Sequence, residues 1–214
     1  MKRVPASINR GAFLFLIMFL NPFFAARSQQ DPVTSIASLE KRQAIEKIAE
    51  PVAQELQASL KNILETKIKE LGPTGALEYC SLNALALTEK IKQKQGEKIT
   101  LLKRTSDKVR NPLNKPDYAE KEALEIFLEA QRRNEPFPAN YIQKVEQDWT
   151  VKYRYYKPIF IGNLCLNCHG SPSQMSPELK EALKKRYPLD EATGYKQGDF
   201  RGLITVEVVL SKEE

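Results

Sequence analysis

The sequence predicts an α+β fold with a long helix near its N-terminus, on three observations. Apolar residues recur every three or four positions from Ile36 to Leu71 and again over 75–93. Two later stretches, Thr150 to Ile161 and Leu203 to Leu210, are alternating or β-branched, as strands are. Helices come first and strands mixed with shorter helices follow, an order that suits α+β better than a regular βαβ repeat.

The chain has 214 residues, 42% hydrophobic and 28% charged, with a formal charge of +6. That describes one domain, or at most two small ones, and excludes a disordered chain or a multi-span membrane protein. Lys2, Arg3 and Arg10 precede an apolar run from Ala12 to Phe24, broken by Asn21-Pro22 and short for a span of ~20 residues. Ala26 and Ser28 supply the small residues of a cleavage site, so residues 1–28 read as a secretory signal peptide. An uncleaved anchor is the alternative. No cysteine stands directly after the run, which argues against a lipoprotein. Cleavage removes four basic residues and no acidic one, leaving a net +2. The expected product is a periplasmic or secreted protein with no stable membrane span. Its basic composition then reports export rather than nucleic-acid binding.

In the first helix Ile45, Ile48, Val52, Leu56, Leu60, Leu64, Ile68 and Leu71 form one stripe. Gly72-Pro73 stops it, and Pro51 is expected to kink or split it, so that the part before Pro51 projects or folds back. On this basis 29–72 is a long N-terminal helix and 73–214 the main domain. A second helix over 75–93 carries Leu77, Cys80, Ala84, Leu87 and Ile91 on one face, with Gly96 near its end. Ile99 to Leu102 is a short strand. A turn-rich loop from Arg110 to Asp117 follows, and Asp117 caps a helix from Tyr118 to about Arg133. Ser176-Pro177-Glu178 opens a short helix ending near Tyr187, and Gly194 to Gly202 is turn-rich.

Cys165-Leu166-Asn167-Cys168-His169 is a C-x-x-C-H motif, the attachment signature of c-type haem. Two thiols three residues apart reach the two vinyl groups on one porphyrin edge, and the adjacent imidazole becomes an axial iron ligand. The signal peptide is an independent clue, since such haem is attached after export. Three rivals carry less weight. A thioredoxin-like dithiol wants a βαβ context that the flanks lack. A zinc site of Cys80, Cys165, Cys168 and His169 would need two sequence neighbours to reach one ion. A Cys165–Cys168 disulfide leaves His169 unexplained.

His169 is the only histidine, which excludes bis-histidine ligation within one chain. Met175 is the only methionine beyond the signal segment, and six residues make a strained path around the haem edge to the opposite face. Lys, Tyr, water or an empty sixth position remain open alongside it. By spacing alone Cys80 is a buried core cysteine, although an unpaired thiol in an exported protein stands out.

Several segments together resemble a family of exported single-haem, c-type haem proteins with a PAS-like domain, found in cyanobacteria and other bacteria. They are Glu78-Tyr79-Cys80-Ser81, Lys103-Arg104-Thr105-Ser106, Arg110-Asn111-Pro112-Leu113-Asn114, Lys157-Pro158-Ile159 and Cys165 to Gly170. Tyr187-Pro188-Leu189-Asp190, Ala192-Thr193-Gly194-Tyr195 and Gly198-Asp199-Phe200-Arg201-Gly202 complete the set. They run in order from about residue 75 to 210. The resemblance implies a PAS-like antiparallel sheet with helices, one haem c, and iron ligation by His169 and Cys80. Arg110, Arg201 and Tyr195 lie in the motif loops and are candidates to meet the anionic propionates. The family's role is that of a redox or gas sensor, or an electron carrier. A sensor needs a signalling partner protein and takes a diatomic gas; an electron-transfer cytochrome c needs a redox partner. A peroxidase would need a distal acid–base residue, and no second histidine exists to serve.

Overall fold

The computed structural model describes residues 39–147 and 150–210, all within one compact unit, Thr34–Glu214. The signal segment expected over 1–28 lies outside the described residues. Mixed helix and strand is what the structure shows. Four antiparallel strands, β1 (Ile99–Thr105), β2 (Tyr141–Gln147), β3 (Thr150–Phe160) and β4 (Phe200–Val208), form one sheet in the order β1-β4-β3-β2. Helices α1 (Leu39–Gln93), α2 (Tyr118–Arg132), the single turn α3 (Leu166–His169) and α4 (Pro177–Arg186) surround it. Among the described residues no helix is long and apolar enough to cross a membrane.

The break in α1 falls at Gly72 and not at Pro51. Gly72 takes φ 68° and ψ 176°, a conformation that favours glycine, and the chain stays helical through Pro51. Pro51 costs one backbone hydrogen bond, but its ring faces solvent while Ala49, Val52 and Ala53 beside it are buried. Nor does the segment before Pro51 project. Ile45, Ala49, Val52, Ala53 and Leu56 pack on the sheet against Tyr153, Tyr155, Ile204, Val206 and Val208. Polar ties pin it further: Arg42 Nη2 donates to Asn140 Oδ1 at 2.8 Å, Lys157 pairs with Glu50 at 2.6 Å, and the Tyr155 hydroxyl donates to Glu50. Beyond Gly72 the second arm of α1 returns alongside the first. Lys94, just past its end, pairs with Glu55 at 3.1 Å, and Ile91 joins the same core as Leu56.

Alternation along the strands divides the core. Tyr153 and Tyr155 of β3 face α1, while Arg154 and Tyr156 face the other side. There α2 packs Ala123, Leu124 and Phe127 on Tyr156, Phe200 and Leu203. Asp117 caps α2 as expected, in a reciprocal box with Glu120. Charges buried on this side are paired: Arg154 with Glu207 (2.8 Å) and Asp117 (2.7 Å), and Lys103 with Glu120 (2.8 Å). Strand β2 was not anticipated from the sequence. Its Ile142 enters the α1 core, while its Gln143 accepts from the Tyr156 hydroxyl at 2.8 Å on the α2 side, so neither face is plainly apolar. Strand β1 runs three residues further than its apolar run, to Thr105, and β4 begins at Phe200.

Candidate haem-binding cavity

One cavity of about 670 Å³ gathers most of the predicted site residues. That size lies within the ~300–1,000 Å³ of small-molecule and cofactor sites. Both arms of α1 contribute, Leu60 and Leu64 from the first, Leu77, Cys80 and Ala84 from the second. Strands β1, β3 and β4 bring Arg104, Ile159 and Ile204, a loop brings Arg110, and the turn running into α3 brings Cys165, Cys168 and His169. The Gly72 break is therefore what returns Cys80 to the side on which the C-x-x-C-H segment sits.

The motif is wound tightly. A 3₁₀ turn over Asn163–Cys165 runs into α3, which sets Cys165 and Cys168 one turn apart. Gly170 closes the turn, its N–H donating to Leu166 O at 2.9 Å. A Cβ there would lie 2.6 Å from that oxygen, so the position needs glycine. The two thiols are free and half-buried. Cys165 packs beside Ile161, Ala192 and Tyr195, and Cys168 beside Leu77, Met175 and Leu179. Burial raises the Cys168 thiol above its ordinary range. Burial likewise raises the Cys80 thiol, opposed by the nearby Arg104 cation.

His169 is held from one side. Its Nδ1 lies 2.7 Å from the carbonyl oxygen of Ala192. A carbonyl only accepts, so Nδ1 carries the proton and Nε2 keeps its lone pair. Burial, then the charges of Arg110 and Arg201, push the imidazole well below its usual range and keep it neutral at pH 7. Two backbone bonds lace the same segment to the following loop, Tyr195 N to His169 O at 3.0 Å and Gly194 N to Gly170 O at 2.9 Å. A neutral imidazole with one nitrogen held by a carbonyl has the other free to bind a metal.

The other candidates fall in different places. Arg110 lines the cavity, but its Nε and one Nη are occupied by Asp190, Cys168 O and Ala192 O. Arg201 Nη1 donates to two neutral acceptors, Ser106 Oγ at 2.5 Å and Lys108 O at 3.1 Å. Tyr195 lies behind the motif, its ring edge-on to His169 at 6.1 Å, with Arg201 stacked 5.4 Å from its centre. Its hydroxyl is the one buried side-chain polar atom without a hydrogen-bond partner among the described residues. Met175 is outside the cavity wall, buried against Leu77, Leu179 and Leu183. Among the described residues no three His, Cys, Asp or Glu side chains cluster to hold a bare metal ion.

Arg104 was not singled out as a site residue. It is half-buried and has no ion-pair partner among the described residues. Burial and the Arg201 charge lower its pKa, while Tyr187 and Cys80 oppose them. Register pairs it with Ile204, whose side chain also lines the cavity. The signal for it lay in extending strand β1 beyond Leu102, since Leu102 and Arg104 then share a face.

These residues fit a haem on four counts: a neutral imidazole with a free Nε2, two free thiols one turn apart, apolar walls, and a surplus of cations. Arg104 and Arg201 line the cavity without a carboxylate partner among the described residues, and propionates would supply the anionic oxygen.

A family model described as Tll0287-like matches residues 30–208. No curated protein matches. Among solved structures, one titled as the crystal structure of the cyanobacterial heme-protein Tll0287 matches at 21% identity with a TM-score of 0.54. The match covers 80% of this chain and 96% of that one.

Proposed function

The chain belongs to the Tll0287-like family, and we propose that it is an exported haem protein carrying a single haem c and acting as a redox- or gas-sensing module. Cys165 and Cys168 would hold the haem through two thioether links, and His169 and Cys80 would bind its iron. The observation that carries this reading is the His169–Ala192 hydrogen bond, which leaves a neutral Nε2 next to two free thiols in one cavity. The solved relative being a heme-protein supports it. When bound, the haem supplies an iron that exchanges one electron and accepts a small axial ligand.

The chain's own residues do the rest. Cys80 as thiolate donates charge and favours the oxidised state, so a low potential is expected. Leu60, Leu64 and Ala84 shield that side from water. Arg104, Arg201 and the Tyr195 hydroxyl receive the propionates. Protonation and release of Cys80 on reduction would leave room there for CO or NO. It also unlocks the second arm of α1, which turns about Gly72 and packs through Leu77 on α4. A partner protein reads that movement. One observation favours electron transfer instead: Phe160 lines the cavity and is 39% exposed, so the cavity edge reaches solvent.

A pyridine haemochrome spectrum of protein made with the haem-attachment machinery tests the cofactor; a c-type band is expected, and none would sink the reading. Ferric spectra of wild type and Cys80→Ser test the ligand, since an unchanged spectrum removes Cys80 from the iron. Stopped-flow reduction with and without CO separates the two roles. A sensor shows CO binding gated by loss of Cys80, whereas a carrier exchanges electrons without opening.

A further inference from the structure

We infer that Arg110 and Asp190 form a positioning device for His169, and that Arg110 does not serve the propionates. This rests on the haem reading above and goes beyond it. Arg110 Nε meets both Asp190 carboxylate oxygens at 3.1 Å, and Nη2 pairs with Oδ2 at 2.9 Å. The same Nη2 donates to Cys168 O at 2.6 Å and to Ala192 O at 3.0 Å. Asp190 Oδ1 in turn accepts the Ala192 N–H at 2.8 Å. Ala192 O is the atom that accepts the His169 Nδ1 proton at 2.7 Å. The loop carrying that carbonyl is also tied to the segment before Arg110, through Glu191 N to Val109 O at 3.0 Å.

The bonds make a closed circuit from Arg110 through Asp190 and Ala192 to His169, and back through Cys168. Asp190 aims the Ala192 peptide from its N–H side, and Arg110 holds its oxygen. The imidazole plane is thereby fixed about an axis set by residues 58 and 80 positions apart in the sequence. Arg110 and Asp190 are both about one-tenth exposed, 11% and 10%, so the fork is not a surface pair that water can replace. A lysine could supply the charge but not three directed bonds. Two consequences separate. The geometry of the fork sets the ring orientation, and the charge of Arg110 sets the electrostatic bias on the iron towards reduction. Second-shell partners of metal-ligating histidines commonly act in these two ways.

The test uses the haem-loaded full chain, wild type against Arg110→Lys, Arg110→Gln and Asp190→Asn. Low-temperature EPR of the ferric form reads ring orientation, and a redox titration reads the midpoint potential. Arg110→Gln is expected to lower the potential and to spread the low-spin EPR signal into more than one species. Arg110→Lys is expected to restore the potential but not the single EPR species. Asp190→Asn keeps the cation without its carboxylate, and should raise the potential. If Arg110→Gln does not load haem, Asp190→Asn and Arg110→Lys decide. An Arg110→Lys protein with the wild-type EPR signal, or an Asp190→Asn protein with the wild-type potential, overturns the inference. Absence of a c-type haemochrome band from the wild type itself would instead defeat the haem reading on which it rests.

Discussion

The Arg201 guanidinium lies 5.4 Å from the centre of the Tyr195 ring, yet the buried Tyr195 hydroxyl has no hydrogen-bond partner in good geometry among the described residues. Lys108 covers the same ring at 4.9 Å. Burial raises the Tyr195 pKa, so the phenol is neutral at pH 7 and available as a donor. A buried unpaired hydroxyl costs about 1–3 kcal/mol, which an arriving carboxylate would recover.

Tyr195→Phe should therefore act with opposite sign on two forms of the protein. Without haem, removing the unpaired hydroxyl should leave stability unchanged or raise it by about 1 kcal/mol. With haem, it should lower stability by a similar amount, because a charge-assisted bond to a propionate is lost. Urea titrations of both forms check this. Equal destabilisation of both would mean that the hydroxyl has a protein partner and no role towards the haem.

Met175 offers a sharp test of the sixth ligand. It is 7% exposed and packs with Leu77, Leu179 and Leu183. Met175→Leu keeps volume and should cost under about 1.5 kcal/mol while leaving ferric and ferrous spectra as in wild type. Met175→Ala should cost about 2–5 kcal/mol by opening a hole between α4 and the second arm of α1. A changed absorption spectrum in Met175→Leu would put the thioether on the iron.

How much of this could be read from the sequence depends on how local each signal is. The Asp117 and Ser176 caps are short-range and were legible, and Cys165, Cys168 and His169 are contiguous, so one turn sets their spacing. Arg104 reaches the cavity only because β1 pairs with β4 across about a hundred residues, which composition does not encode. Arg110 illustrates a different limit. Its loop was recognisable, but its partners Asp190 and Ala192 lie some 80 residues on, out of reach of a local reading. Pro51 misled because the hydrogen bond it forfeits is small beside the apolar surface its neighbours bury.

Gly202 sits where β4 comes close to the end of β1. Its φ of 145° disfavours any side chain, and an added Cβ would collide with the Thr105 carbonyl oxygen across the β1–β4 pair. Ser106 lies beside it and holds Arg201 at 2.5 Å. Gly202→Ala should cost on the order of 3 kcal/mol from strain and overpacking together. It should also displace Arg201 and slow haem loading. Thermal melts and the yield of the c-type haemochrome band measure the two effects. A wild-type melting temperature would mean that the strands part there without cost.

The pairing of Glu207 sets a limit at acid pH. Burial alone would raise its carboxyl, but hydrogen bonds from Thr100, Lys152 and Arg154 outweigh that and hold it below the usual range. A carboxyl lowered on folding contributes stability above its unfolded value, near pH 4.5, and loses it as pH falls through the lowered folded value. Glu50 is lowered too, burial again opposing and Lys157 and Tyr155 prevailing, so both loosen the sheet in the same window. Glu207→Gln should cost roughly 1.5–3 kcal/mol at pH 7, where the charged bonds are lost. Below about pH 4.5 the difference from wild type should shrink, because the native carboxyl is itself being protonated. Denaturant midpoints measured from pH 7 to pH 3 test this. A gap between the two proteins that stays constant over that range would show that Glu207 contributes through shape rather than through charge.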